Sequence, residues 1–162
     1  MANILVTGGA GFVGTNLVRR LLTDGHTVHS IDDYSAGKKQ NHIEGAVYRH
    51  SCTSEINNVQ FQIDFDYVYH LAEYSRITPS FEFIEQVWKS NSLGTFQVLE
   101  FCRKNEIKKI VYAGSSTKFA PEGTGHSPYS FTKSQSVELL KNYYKWYGLE
   151  YSICYFYNKN AV

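Results

Sequence analysis

The sequence predicts an α/β protein, a doubly wound parallel sheet of about six strands with helices on both faces. Three observations predict it. Short apolar runs rich in β-branched residues alternate with longer segments of helical periodicity. A glycine-rich turn, VTGGAGFVG (6–14), joins the first apolar run to the first helical segment. An acidic pair, Asp32-Asp33, closes the second apolar run. At 162 residues, 43% hydrophobic and 19% charged, the chain is long enough to bury one core, so residues 1–162 read as a single domain.

The elements follow in order. NILVT (3–7) reads as a buried parallel strand, and TNLVRRLLTDG (15–25) as an amphipathic helix with Leu17, Val18, Leu21 and Leu22 on one side and Gly25 as its stop. TVHSID (27–32) is the second strand, 35–45 a polar loop, AVYRH (46–50) a weaker third strand and FDYVYHLA (65–72) a fourth. Residues 80–104 predict one long helix. Gly94 within it lowers helix propensity, which implies close packing at that point. KKIVYAGS (108–115) is the fifth strand. Ser127-Pro128 has the form of an N-cap followed by proline at the first helical position, and the helix it starts ends at Gly148. YSICYF (151–156) is the sixth strand and has the apolar, aromatic character of an interior one.

Net charge is +1, so no broad basic field is available for nucleic acid or an anionic membrane, and no apolar run reaches the length of a membrane span. Cys52, Cys102 and Cys154 are widely spaced and odd in number, which fits reduced thiols in a cytoplasmic protein rather than a disulfide framework. No signal segment precedes the first strand. The six histidines show no metal-ligand spacing. His26 and His29 straddle a turn and a strand and read as structural. Tyr143, Tyr144, Trp146 and Tyr147 crowd one segment and read as core and subunit packing rather than as a stacking platform for bases.

The glycine turn has a specific physical use. Side chains at Gly8 or Gly11 would block a tight turn and the approach of backbone to a pyrophosphate, while Gly14 lets the helix sit close. The helix start presents N–H groups and a positive dipole end to an anion. Asp32, at the end of the second strand, suits the hydroxyls of an adenosine ribose and repels a 2′-phosphate, which favours NAD over NADP. The plainer alternative is that Asp32 and Asp33 open a solvated turn; the glycines and the acid together favour the dinucleotide site.

SPYSFTKS contains Tyr129-x-x-x-Lys133, which puts both side chains on one helix face. An ammonium beside a phenol pulls its pKa below the usual ~10, so Tyr129 is expected to act as a general base toward a substrate hydroxyl. Ser115, at the carboxyl end of the fifth strand, lies where ligands gather in open α/β sheets.

TGGAGFVG, Asp32, YHLA (69–72), SNSLGT (90–95), VYAGSS (111–116) and YSFTK (129–133) occur in the order found in extended short-chain dehydrogenases/reductases. Over essentially its whole length the chain resembles the N-terminal, Rossmann-type half of the NAD-dependent epimerase/dehydratase family, enzymes of nucleotide sugars. The resemblance implies Ser115, Tyr129 and Lys133 as the catalytic set, with Ser116 in place of Ser115 if the register slips by one, and Asn91 supporting the proton relay. It implies NAD held by Gly8, Gly11, Phe12, Val13, Gly14, Asp32, Leu71, Ala72, Tyr129 and Lys133. It also implies a homodimer through helices 80–104 and 129–147, and a UDP-sugar such as UDP-glucose as substrate.

The family's 4,6-dehydratases carry an Asp-Glu pair where this chain has Ser116 and Thr117, so the pattern looks more like the 4-epimerases. Three positions depart from the family pattern. No acid stands in RHSCT (49–53), where one usually meets adenine; Phe119-Ala120 replaces a tyrosine-glycine; and YFYNKNAV keeps Asn158 but not the tyrosine-glycine-proline that follows it. The substrate-binding lobe of the family is expected to be absent from these residues. Reduced turnover, a non-catalytic NAD-binding module and an inactive remnant are the readings this leaves beside the enzyme.

Overall fold

The computed structural model describes residues 1–119, 123 and 125–157. Six parallel strands form one sheet in the order β3-β2-β1-β4-β5-β6. They are β1 (Asn3–Thr7), β2 (Thr27–Asp32), β3 (Val47–His50), β4 (Tyr67–His70), β5 (Lys109–Ser115) and β6 (Glu150–Phe156). β1 pairs with β2 on one side, Leu5 opposite His29, and with β4 on the other, Leu5 opposite Val68. A central strand covered on both faces needs apolar residues at successive positions, and Ile4, Leu5 and Val6 are all buried.

Alternate residues send the core to opposite faces. Leu5, Ile31, Val68, Ile110 and Tyr112 pack with Val98, Leu99 and Cys102 of α3 (Gly94–Lys104) and with Val137 and Leu140 of α4 (Pro128–Tyr147). Ile4, Val6 and Val28 pack with Val18 and Leu21 of α1 (Phe12–Thr23). The doubly wound sheet expected from the sequence is therefore present. No helix among the described residues is long and apolar enough to cross a membrane.

α4 begins as its sequence requires. The Ser127 side chain accepts from the Ser130 N–H at 3.1 Å, and Pro128 occupies the first turn. It ends at Gly148, whose N–H donates to the Tyr144 carbonyl at 2.8 Å.

The single helix expected over 80–104 is not continuous. A 3-10 turn (Thr78–Phe81) leads to a short α2 (Ile84–Val87), then a π segment (Trp88–Leu93), then α3. The wider π turn buries Asn91, which bonds out of its own helix. Gly94 follows directly, and a Cβ there would come within 2.3 Å of Thr53 Oγ1, which is the close packing its glycine implied. β6 forms where the sequence places a strand. Among the described residues it pairs with β5 alone, and Cys154 and Phe156 are exposed.

In the aromatic run Tyr143 alone joins the core, donating its hydroxyl to Glu100 at 2.9 Å. Tyr144, Trp146 and Tyr147 are exposed. His26 and His29 are structural, as expected. The His26 ring accepts from the Ala2 N–H, and His29 packs edge-on against Phe61 and Phe65.

Candidate active site

The strand order reverses between β1 and β4, and the loops leaving the carboxyl ends of these strands flank a crevice. Gly8 starts the loop after β1 with φ +76° and a Cβ position only 3.0 Å from the Ala72 backbone nitrogen. Any side chain there would be strained and would also strike the loop after β4. A Cβ at Gly14 would lie 2.0 Å from the Gly8 carbonyl oxygen, so α1 rests directly on the turn. Gly11 is the N-cap, no side chain caps the helix, and no acidic residue stands in its first turn. The N–H groups at the start of α1, at Phe12, Val13 and Gly14, are thus of the kind a helix leaves free for an anion.

Asp32 is the last residue of β2 and is buried. One carboxylate oxygen accepts from the Ala10 N–H at 2.9 Å, the other from the Tyr34 N–H at 2.8 Å. Each oxygen keeps a further lone pair for a ribose hydroxyl. Asp33 instead closes its own turn, accepting from the Ser35 N–H and hydroxyl. The Leu71 and Ala72 N–H groups both donate to Thr7 Oγ1 at 3.1 Å, which fixes the loop after β4 against the glycine turn. These residues fit an NAD-type dinucleotide. The crevice has a backbone cradle, an open helix start and a carboxylate at the strand end.

Among the described residues Asn91 makes no hydrogen bond to Tyr129 or Lys133. Its side chain accepts from the Tyr74 N–H at 2.7 Å and donates to the Tyr74 carbonyl and to Thr132 Oγ1, each at 3.2 Å. Its carbonyl accepts from Ser136 Oγ at 3.0 Å. It therefore clamps the π segment to α4 and to the loop after β4.

Ser115 ends β5, buried, with its hydroxyl 2.9 Å from Thr117 Oγ1. Ser116 opens a 3-10 turn (Ser116–Phe119). Ser115, Thr117, Lys133 and Ser134 line one narrow crevice. Tyr129 is half-buried on the first turn of α4. Burial pushes its phenol above the ordinary value and Glu73 adds to that, while a hydrogen bond with Ser115 pulls the other way. This reverses the sequence expectation of a lowered Tyr129.

Burial is the first cause, and a residue that sequence reasoning missed adds to it. Glu73, just beyond β4, accepts from Lys133 Nζ in a buried ion pair whose side chains are 4% and 6% exposed. It also accepts from Tyr112 OH at 2.8 Å and Thr95 Oγ1 at 3.0 Å. Lys133 donates in addition to the Ala113 carbonyl and lies 4.4 Å from the Tyr112 ring centroid. The available signal was a carboxylate directly after an apolar strand end, in YHLAE. Two further expectations, at Ala120 and Asn158, lie outside the described residues.

Strand order, glycine turn and strand-end acid together define a dinucleotide-binding α/β protein of the Rossmann class. Residues 4–159 match the NAD dependent epimerase/dehydratase family, and the chain belongs to it. It is 30% identical to the UDP-glucose 4-epimerase of Drosophila melanogaster, over 86% of this chain and 47% of that relative. The Bordetella bronchiseptica enzyme WbmF in complex with NAD+ superposes with a TM-score of 0.87 and 30% identity, over 97% of this chain and 50% of that one. A Thermotoga maritima UDP-glucose 4-epimerase with UDP-glucose gives a TM-score of 0.83 and 27% identity, over 93% of this chain and 54% of that one. The chain thus spans about half the length of these relatives.

Proposed function

We propose that these residues form the dinucleotide half of a nucleotide-sugar 4-epimerase-type enzyme, with NAD as cofactor. One juxtaposition carries the reading. The open start of α1, the Asp32 carboxylate, and Ser115, Tyr129 and Lys133 all stand at the carboxyl edge of one parallel sheet. Gly8, Gly11, Phe12, Val13 and Gly14 would hold the pyrophosphate, Asp32 the adenosine ribose, and Leu71 and Ala72 the wall of the groove, with Tyr129 and Lys133 at the nicotinamide end. Bound there, the nicotinamide supplies hydride acceptance and return. Ser115 orients the reacting oxygen, Tyr129 exchanges a proton with it, Lys133 places charge beside the phenol, and Asn91 braces the frame. The substrate is a UDP-sugar such as UDP-glucose, epimerised at C4. Ser116 and Thr117, in place of an acidic pair, argue against dehydration.

A second reading is a non-catalytic NAD-binding module. Lys133 favours it, because Glu73 already engages the ammonium. Calorimetric titration with NAD+ and NADP+ tests the shared part. Saturable binding that prefers NAD+, with the preference abolished in Asp32→Ala, is the expected result; equal binding of both, or of neither, sinks the cofactor assignment. Any steady-state interconversion of UDP-glucose and UDP-galactose excludes the second reading. Positioning supplies much of a rate enhancement, so these 162 residues alone are expected to interconvert UDP-glucose and UDP-galactose little or not at all.

The reading extends to assembly and place. A homodimer through helices 80–104 and 129–147 is supported by exposed Ile84, Trp88, Leu93 and Phe131, with Trp88 stacked on Phe131 at 6.1 Å. Cytoplasmic residence suits three free thiols. One domain over 1–162, with neither nucleic acid nor membrane as partner, completes the proposal.

A further inference from the structure

The carboxyl edge of the sheet has two sides, and among the described residues they differ in what they leave free. A dinucleotide lying across the β1–β4 reversal sets its ADP half over the ends of β1 and β2 and its other half over the ends of β4 and β5. On the first side polar groups are available. No side chain caps α1, and each Asp32 carboxylate oxygen has taken a single N–H. Tyr34 is held there in the left-handed region at φ 58°, where a bulky residue is strained. Its ring lies 5.4 Å from that of His50, which stands opposite Asp32 at the end of β3. The two rings offer a base a surface to stack on.

On the second side the polar groups are spent. An ammonium has three N–H donors. Lys133 gives one to the Glu73 carboxylate and one to the Ala113 carbonyl, and the Tyr112 ring, its centroid 4.4 Å away, covers the charge from another direction. Glu73 is no freer. One of its oxygens accepts from Tyr112 OH and Thr95 Oγ1, the other from Lys133. β4 stops at His70, opposite Tyr112, while β5 runs on to Ser115. The buried pair stands where β4 has ended and β5 continues. Ser115 Oγ accepts from the Thr117 N–H and lies 2.9 Å from the Thr117 hydroxyl. A ligand that took Lys133 would have to part it from Glu73 and leave a buried carboxylate without its cation.

We propose that this chain recognises ADP-ribose: it takes NAD+ by the ADP-ribose half, binds free ADP-ribose equally well, and gains nothing from the nicotinamide half while Glu73 holds Lys133. The proposal rests on the reading that these residues form a dinucleotide site. It assigns the ligand class of that site, adenosine diphosphates that carry a ribose with or without a base. Glu73 sets the limit. It acts through Lys133, by using the N–H groups that a nicotinamide ribose would otherwise meet at the ends of β4 and β5.

The test is a calorimetric titration of the full chain with NAD+, ADP-ribose and nicotinamide mononucleotide, repeated on Glu73→Ala. In the unaltered chain the dissociation constants for NAD+ and ADP-ribose are expected to agree within about threefold, with no saturable binding of the mononucleotide. In Glu73→Ala the released Lys133 tightens NAD+ relative to ADP-ribose by about fivefold or more, the worth of a recovered hydrogen bond. A merely structural loss would weaken both ligands alike and leave their ratio where it was. A larger advantage for NAD+ in the unaltered chain overturns the proposal, and so does a ratio that Glu73→Ala leaves unchanged. If Glu73→Ala does not fold, the unaltered chain still decides. Tight NAD+ beside weak ADP-ribose defeats the proposal alone and leaves the dinucleotide reading standing. A chain that binds neither defeats both.

Discussion

His70 sits between two threonine hydroxyls on β4, and burial holds its pKa down to about 4 from 6.5. In the unfolded chain the ring takes a proton below about pH 6.5; in the folded chain it resists until about pH 4. Its contribution is therefore complete above the unfolded value and is lost as pH falls through this window, reaching about 3 kcal/mol near pH 4. Urea midpoints measured from pH 7 to pH 4 should fall accordingly, and His70→Asn should flatten the fall. A slope unaltered by that substitution would place the proton elsewhere. At this scale the sequence was legible where chemistry is local. Gly8 and Gly14 announce a tight turn, and Asp32 announces a strand-end acid. Glu73 was not legible, because its meaning comes from Lys133, sixty residues away in sequence. The expected lowering of Tyr129 failed first because the tyrosine is partly buried, which raises its phenol, and then because of Glu73. An i, i+4 spacing puts the two side chains on one helix face but shows neither that burial nor the carboxylate that pairs with the ammonium.

Among the elements, α4 was legible at both ends, since Ser127, Pro128 and Gly148 are local signals. The π segment was not. Apolar periodicity does not separate a π turn from an α turn when Asn91 is drawn out of register by Tyr74 and Thr132 on other elements. Gly94 joins the π segment to α3 beneath Thr53. Gly94→Ala gains helix propensity of up to about 1 kcal/mol and loses about 1–3 kcal/mol to overpacking. A net fall in stability on chemical denaturation is the expected outcome. An increase would mean that Thr53 swings aside freely.

For the whole molecule, the exposed aromatic face of α2, the π segment and α4 is the test of assembly. Trp88 is 48% and Phe131 42% exposed, and burying such rings supplies much of a homodimer's stability. Sedimentation should show a dimer for the unaltered chain and a monomer for Trp88→Asp, with NAD+ affinity retained. A monomer in both would remove the homodimer from the proposal. The strand order has a consequence for the order of folding. The β2 edge of β1 can be satisfied within the first 32 residues, but its other edge meets Tyr67–His70. Until that later stretch arrives, the most buried strand of the protein presents a row of unpaired amides and carbonyls. The unit β1–α1–β2 therefore forms early from nearby contacts, while closure of the sheet centre waits on a loop of nearly sixty residues. On a ribosome, that interval is when the nascent chain is most open to pairing with a stray strand and has most to gain from a chaperone.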